Sequence, residues 1–516
     1  MSERVQRPEV FLNALPGALS RRQLLRRAGV LSAGFAALPL LAACGGASAT
    51  PTTASKSSGG NTTAAATSAQ AAATTAPAGG GAAATATYIA QDLAQVTPVG
   101  SPATCAPASG SQTTVKFEGW DYEPPLVDLN IQRFQCITPT VKVNYTPIVS
   151  AQYREKLVAE FTAGANPDGL YVRDDYFAGW VTAGYLQDIE GMPGLDDVYS
   201  KLYKLNADAM TYKGKRFGMP YYTDCATFVY NADMLQKAGI SAPPKSLQEY
   251  EDQALKIKQA NIVQYPLALG LGLTNDFWTD WWALIYASGA KLFDDQMNPI
   301  LDKDPAVKAV LTWINRGINE TKIIDPASLE TATVPRDNFM AAQYAFLHIA
   351  RYDVEAVNSP SRSKVAGKGK MAYIPSVDGT NKGSVGWTRQ YSIAKNTKNK
   401  DAIYKLNYYL GGLDQGGNPY TAKFWFINRG LGFAYKDLGN DPDVKAKLQK
   451  FADPVEVYNT QIESARTREA ITEPWYSEWE SGNQKLMQQV FTKQLSVDDC
   501  LTKMAESAKK LKQQNQ

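Results

Sequence analysis

Apolar and polar residues alternate in Val115-Lys116-Phe117-Glu118 and again in Val141-Lys142-Val143-Asn144-Tyr145. A period of two predicts a strand at each. Between them Val127, Ile131 and Phe134 recur at helical spacing, which closes a strand–helix–strand unit of a parallel sheet. Tyr153, Leu157 and Phe161 mark a second helix that stops near Gly164, and Pro167-Asp168 leads into the apolar strand Leu170-Tyr171-Val172. The opening reads βαβαβ, an α/β lobe.

A second region starts as clearly. Ser246 and Glu249 form a capping box after Pro243-Pro244, and Leu247, Tyr250, Ala254 and Ile257 then share one helix face. Pro266 to Gly270 predicts a short buried strand. Ile403, Leu406 and Leu410 mark a helix ending at Gly411-Gly412. Ser496 with Asp499 caps a last helix carrying Leu501, Met504 and Leu511. Residues 113 to 516 are too many for one ordinary core, which predicts two lobes.

The front of the chain follows another logic. Arg21, Arg22, Arg26 and Arg27 precede an apolar run from Ala28 to Ala43, then Leu41-Ala42-Ala43-Cys44-Gly45. This is the three-part form of an export signal, and the run is shorter than the roughly 20 residues of a spanning helix. Small residues before Cys44 resemble a bacterial lipobox, which implies cleavage after residue 43 and acylation of the Cys44 thiol. The paired arginines resemble a twin-arginine signal, although Leu24 stands where that family favours Phe. Residues 44 to 112 are rich in Ala, Thr, Ser and Gly, a composition expected to form a disordered tether.

The formal charge of +3 belongs to the signal, whose six Arg and two Glu carry +4, so the rest of the chain is near −1. No basic patch argues for nucleic acid. Beyond Cys44, Cys105, Cys136, Cys225 and Cys500 form an even set with three possible connectivities, in a compartment that permits disulfides. None has the spacing of a zinc ligand pair, and the single histidine, His348, sits in an apolar stretch that predicts a packed or surface role. No metal and no cofactor are expected.

Four stretches resemble the family 1 extracellular solute-binding proteins, the maltose-binding-like class. Phe161-Thr162-Ala163-Gly164-Ala165-Asn166-Pro167-Asp168 is followed by Ala183-Gly184-Tyr185-Leu186-Gln187-Asp188-Ile189. Tyr212 to Tyr250 holds Gly214-Lys215-Arg216-Phe217-Gly218-Met219-Pro220-Tyr221 and Tyr230-Asn231-Ala232-Asp233-Met234-Leu235. Phe339 to Phe346 stands in place of the family's FxxGKAAM and departs from it at Ala342-Gln343 and Phe346. Pro474-Trp475 through Cys500 is similar to the closing helices.

The resemblance implies an α/β, two-lobed periplasmic-binding-protein-like fold of class II, the Venus-flytrap type, with hinge strands and an inter-lobe ligand cleft. It places an N-terminal lobe at 113–224 and 387–437, and a C-terminal lobe at 225–386 and 438–516. Crossings are expected near Tyr222–Thr227, Trp387–Ile393 and Phe433–Leu438. It implies a monomeric, membrane-tethered receptor that binds a small-molecule carbohydrate and delivers it to ABC transporter permease subunits, without being an enzyme. No GxxxxGK[ST] motif is present for ATP hydrolysis.

Sugars present C–H faces to aromatic rings and hydroxyls to carboxylates, amides and Arg. Ligand-binding candidates follow from position: Trp120 and Asp121 after the first strand; Tyr153 at the second helix; Asp174 and Asp175, with Arg173, after the third strand; Tyr222 and Asp224 at the first crossing. The others are Trp278 and Trp281, with Trp282, in a loop-to-helix stretch; Arg351 after the FxxGKAAM-like strand; Trp387 and Arg389 at the second crossing; and Trp475 in a late loop. Each Trp has the alternative of core packing, and Trp281 and Trp282 point differently on a helix. Rival readings are a non-sugar solute on the same scaffold (polyamine, peptide or organic phosphate), a secreted glycoside hydrolase, and a cell-wall scaffold. Adjacent Asp174 and Asp175 on a strand end diverge and do not flank one bond.

Overall fold

The computed structural model describes residues 87–88, 96–100, 103–107, 110–273, 278–330 and 335–515. The signal, Cys44 and most of the tether lie outside them. No helix among the described residues is long and apolar enough to cross a membrane.

The opening forms as its pattern predicts. Strand β1 (Thr113–Trp120) turns Val115 and Phe117 into the core, and α1 (Pro124–Ile137) buries Val127, Ile131 and Phe134. Then come β2 (Val141–Ile148), α2 (Ser150–Ala163), β3 (Gly169–Arg173) and α3 (Asp174–Thr182). Gly164 ends α2 at φ 70°, a conformation glycine adopts without steric cost. Strands β2 and β3 both pair parallel to β1.

The hinge strands are β4 (Gly218–Asn231) and β7 (Ser384–Ala394). The first half of β4, Gly218 to Cys225, pairs antiparallel with β7, and its second half pairs with β5 (Phe346–Ala350) and β6 (Gly369–Ala372). The change of partner, at Cys225–Ala226, falls within the expected crossing. Strand β7 continues to β3 at its far end and meets β8 (Ala465–Arg466) at its near end. The sheet order is therefore β5-β4-β7-β3-β1-β2. A bulge between Arg389 and Gln390 bends β7 where it leaves the hinge.

Around this sheet lie α4 (Leu247–Gln259), α5 (Thr279–Ala287), α6 (Pro305–Asn319), α7 (Lys400–Gly411), α8 (Tyr420–Arg429), α9 (Val455–Thr460), α10 (Tyr476–Phe491) and α11 (Val497–Gln514). The caps of α4 and α11 form: Ser246 Oγ accepts from Glu249 N at 3.1 Å, and Ser496 Oγ from Asp499 N at 3.1 Å. One core gathers β1, β3, α3 and α7. A second gathers α4, α5, α6, α10 and α11. Alternation along β5 sends Phe346 to the second core and Leu347 and Ile349 to the first.

Several expectations are corrected. Pro266–Gly270 is not a strand: only Leu267 makes an isolated bridge, to Ile324. Side chains take the place of a neighbouring strand, with Leu269 N donating to Ser328 Oγ and Gly270 N to Asp280 Oδ2. Asp174 and Asp175 open α3 and do not extend β3. At Phe433–Leu438 the chain forms no spanning strand but an isolated bridge, Tyr435 to Leu202, and a turn of 3-10 helix. There Thr223 N donates to Gly432 O, and a Cβ at Gly432 would lie 2.1 Å from Thr223 O, so only glycine fits against the hinge.

The end of the expected disordered tether is fastened to the first core. Cys105 and Cys136 form a disulfide, Thr97 N donates to Asn428 Oδ1 at 2.7 Å, and Val99 is buried. Cys225 and Cys500 are buried and free, in different cores.

Candidate functional site

Where β3 ends, Arg173, Asp174 and Asp175 turn into the first turn of α3, a place that favours carboxylates. Asp174 accepts from Thr388 N at 2.9 Å and from Arg389 NH1 at 2.7 Å, both on hinge strand β7. Asp175 accepts from Arg173 at two points, 2.9 Å to Nε and 2.7 Å to NH2. Tyr222, half-buried, feels the charges of Arg389, Arg173, Asp224 and Asp174.

The second lobe meets this group through Arg468, just beyond β8. Arg468 NH1 donates to Glu480 Oε2 at 3.0 Å, and the indole Nε1 of Trp282 donates to Glu480 Oε1 at 2.9 Å. Arg468 and Glu480 are only 6% and 8% exposed. Burial raises the Asp175 carboxyl, but the guanidinium groups of Arg173, Arg389 and Arg468 outweigh that and hold it well below the usual carboxylate range. The seam therefore carries charge from the first lobe, a hinge strand and the second lobe.

Beside it, the buried face of α10 presents Trp479, Glu480, Asn483 and Gln484 toward Trp281 and Trp282 of α5, around a small cavity of about 10 Å³. Asn483 Oδ1 and Gln484 Nε2 have no hydrogen-bond partner among the described residues. Buried groups of this kind are normally paired, and a space of this size fits a single water between them.

Of the residues expected at a ligand, the structure brings together Asp174, Asp175, Tyr222 and Arg389. Trp387 lies opposite Asp224 across the hinge pairing, buried. Trp120 ends β1 half-buried, its ring 4.7 Å from that of Tyr171 and 5.5 Å from that of Tyr153.

The remaining candidates have structural work. Asp121 accepts from Ser150 N at 2.9 Å and Ser150 Oγ at 2.7 Å, capping α2 from the neighbouring strand. Tyr153 is buried, donating to Tyr171 O at 2.8 Å and accepting from Tyr171 N at 3.0 Å. Asp224 and Arg351 are fully buried and pair with each other at 2.8 Å, with Tyr352 N and Cys225 N completing the carboxylate. Trp278 donates to Gly272 O and stacks near Phe491, and Trp475 packs on Phe293 and Trp479 in the second core. Trp281 is buried in the same core and reaches the site only along the α10 cavity. His348 is buried on β5, its Nδ1 3.2 Å from Asp280 Oδ1.

The pattern reading missed Arg468, Glu480, Asn483 and Gln484. The signal was present: Tyr476, Glu480, Asn483, Gln484 and Met487 fall on one helix face, and polar residues on an otherwise apolar face call for partners. Among the described residues no group of His, Cys, Asp and Glu is arranged to hold a metal ion.

Two α/β lobes, strands passing between them and a buried polar seam where they meet define a two-lobed solute-binding protein. The family of bacterial extracellular solute-binding proteins matches residues 121–411, more than half of the chain, and the chain belongs to it. The maltotriose-binding protein of Pyrococcus abyssi is 24% identical over 325 residues, 61% of this chain and 64% of that protein. A binding protein of Brucella abortus is 20% identical over 281 residues, 54% of this chain and 66% of its own length. These matches thus span just under two thirds of the relatives. Among solved structures, maltose-bound MalE3 of T. maritima superposes with a TM-score of 0.63 at 22% identity, over 77% of this chain and 99% of that one. The GacH receptor of Streptomyces glaucescens gives 0.64 at 20% identity, over 79% and 100%. At these identities the likeness establishes the fold.

Proposed function

We propose that this protein captures a sugar or oligosaccharide between its lobes and hands it to the permease of an ABC importer, as a lipoprotein anchored through Cys44 on the outer side of the membrane. The observation that supports the ligand class is the seam itself: carboxylates and guanidinium groups converge from both lobes, with the half-buried ring of Tyr222 among them. Hydroxyls accept and donate, so they suit the carboxylates and guanidinium groups of the seam, and aromatic rings such as Tyr222 suit C–H faces. Relatives named for maltotriose and for mannitol support this reading.

A ligand that touches both lobes binds the closed form better and shifts the open–closed balance. The protein acts by binding and not by catalysis: Asp174 and Asp175 are each committed to an arginine, which leaves no free acid–base pair there. Lipidation is supported by the small residues before Cys44, and export by the basic and apolar segments that precede it.

The test is a thermal-shift screen of the exported chain against sugars, oligosaccharides, polyamines, peptides and sugar phosphates. A ligand at a hundred times its Kd stabilises by about 2.7 kcal/mol. A shift with sugars is expected; shifts confined to polyamines or phosphates would overturn the sugar and keep the receptor.

A further inference from the structure

The seam between the lobes is closed in charge. Arg173, Arg389 and Arg468 face Asp174, Asp175 and Glu480, and every one is paired within the protein: Arg389 with Asp174 at 2.7 Å, Arg173 with Asp175 at 2.7 Å, Arg468 with Glu480 at 3.0 Å. The charges around it are committed too, Asp224 to Arg351, Asp353 to Arg336 and Glu469 to Arg466.

Resting on the sugar reading above, we infer that the site is built for an uncharged polyol, and that Arg468 and Glu480 are the residues that exclude acidic and amino sugars. A ligand carboxylate or ammonium entering here is stripped of water and finds each of these six charges already matched; a further cation, Arg154, lies over the Tyr176 ring (5.7 Å), so the ligand's charge meets existing pairs at the seam. Neutral hydroxyls carry no such penalty and still hydrogen-bond to the paired carboxylates and guanidinium groups.

Arg468 and Glu480 hold this balance for three reasons. They are the second lobe's contribution, and they close on the first lobe's charges. They are more deeply buried than Arg173 and Asp175, whose side chains are 20% and 21% exposed. Glu480 also spends its other oxygen on Trp282, which fixes the carboxylate in place. Glu480→Gln leaves the seam with one surplus positive charge and keeps an oxygen for the indole N–H. Arg468→Gln leaves one surplus negative charge.

The experiment is calorimetric titration of the wild-type chain and both variants with glucose, galactose and maltose, each beside its uronic-acid and 2-amino counterpart. For wild type the neutral member binds, and both charged counterparts bind at least about tenfold more weakly. Glu480→Gln recovers the uronate by about tenfold and not the amino sugar, and Arg468→Gln does the reverse. Asp175→Asn, at the more exposed pair, repeats the Glu480→Gln result should that variant fold poorly. A wild-type protein that binds uronate or amino sugar as tightly as the neutral sugar overturns the inference and leaves the sugar reading standing. Discrimination unchanged in all three variants overturns the role of the charges. No binding by any member of the panel overturns the sugar reading, and the inference with it.

Discussion

Trp282 and Glu480 are 198 residues apart and belong to helices α5 and α10, yet the indole N–H donates to the carboxylate at 2.9 Å. The same carboxylate holds Arg468, so one acid ties an indole and a guanidinium of the second lobe together. Glu480→Leu takes the paired carboxylate from a buried guanidinium and is expected to destabilise by about 3–5 kcal/mol, while Glu480→Leu with Arg468→Met recovers most of that loss. Urea denaturation of the two singles and the double gives the coupling directly. A double variant no more stable than Glu480→Leu would refute the pairing.

Trp278 and Trp475 belong to the second core, and large-to-small changes there leave cavities. Trp278→Ala and Trp475→Ala are expected to cost about 3–5 kcal/mol of stability each. Tyr222→Phe, by contrast, removes one hydroxyl at the seam and is expected to leave the melting midpoint within a few degrees while weakening ligand binding. Melting curves paired with binding isotherms separate the two classes. A Trp475→Ala protein of native stability that has lost binding would move Trp475 into the cleft.

Legibility followed burial geometry. The first lobe was readable because β1 and β2 are buried by alternate residues and α1 by one face, so a period shows. In the second lobe α4 and α11 are readable from their caps and one-sided faces, but α5 is not: all nine of its residues are buried, and a helix apolar on every side has no period to read. The pattern there gives no sign of which tryptophans around α5 pack in the core, and Pro266–Gly270 reads as a strand because an apolar run does not show that side chains complete its backbone. Among the polar candidates, the pattern puts Asp224 at the first crossing and Arg351 after the FxxGKAAM-like strand, but position along the chain does not reveal that the two satisfy each other. Glu480, Asn483 and Gln484 were readable in principle as polar interruptions of the buried face of α10.

The two unpaired thiols are inert in the folded state. Burial pushes both Cys225 and Cys500 up to about 12, and only the thiolate reacts. Titration with a chromogenic disulfide reagent after removal of the signal and blocking of Cys44 is expected to find no reactive thiol in the native protein and two after unfolding. Rapid labelling under native conditions would place one of them at the surface.

Glu190 provides an acid limit to stability. It accepts from Arg216 N at 2.7 Å, from Nε at 2.8 Å and from NH2 at 2.6 Å, and these bonds, the side-chain ones foremost, hold its carboxyl at about 2 against the ordinary 4.5. A carboxyl with a lower pKa in the folded than in the unfolded chain stabilises the fold fully above its unfolded value, and loses that stabilisation as pH falls through its folded value. The difference in Tm between wild type and Glu190→Gln is therefore expected to be constant from pH 7 down to about 4.5 and to shrink steadily toward pH 2. Its size stays modest and falls with added salt, because the Glu190 side chain is 33% exposed and the second partner of Arg216, Asp196, is 91% exposed. A Tm difference that does not change between pH 4.5 and 2 would mean that the carboxylate charge plays no part in holding Arg216, leaving only hydrogen bonds that a glutamine amide makes equally well.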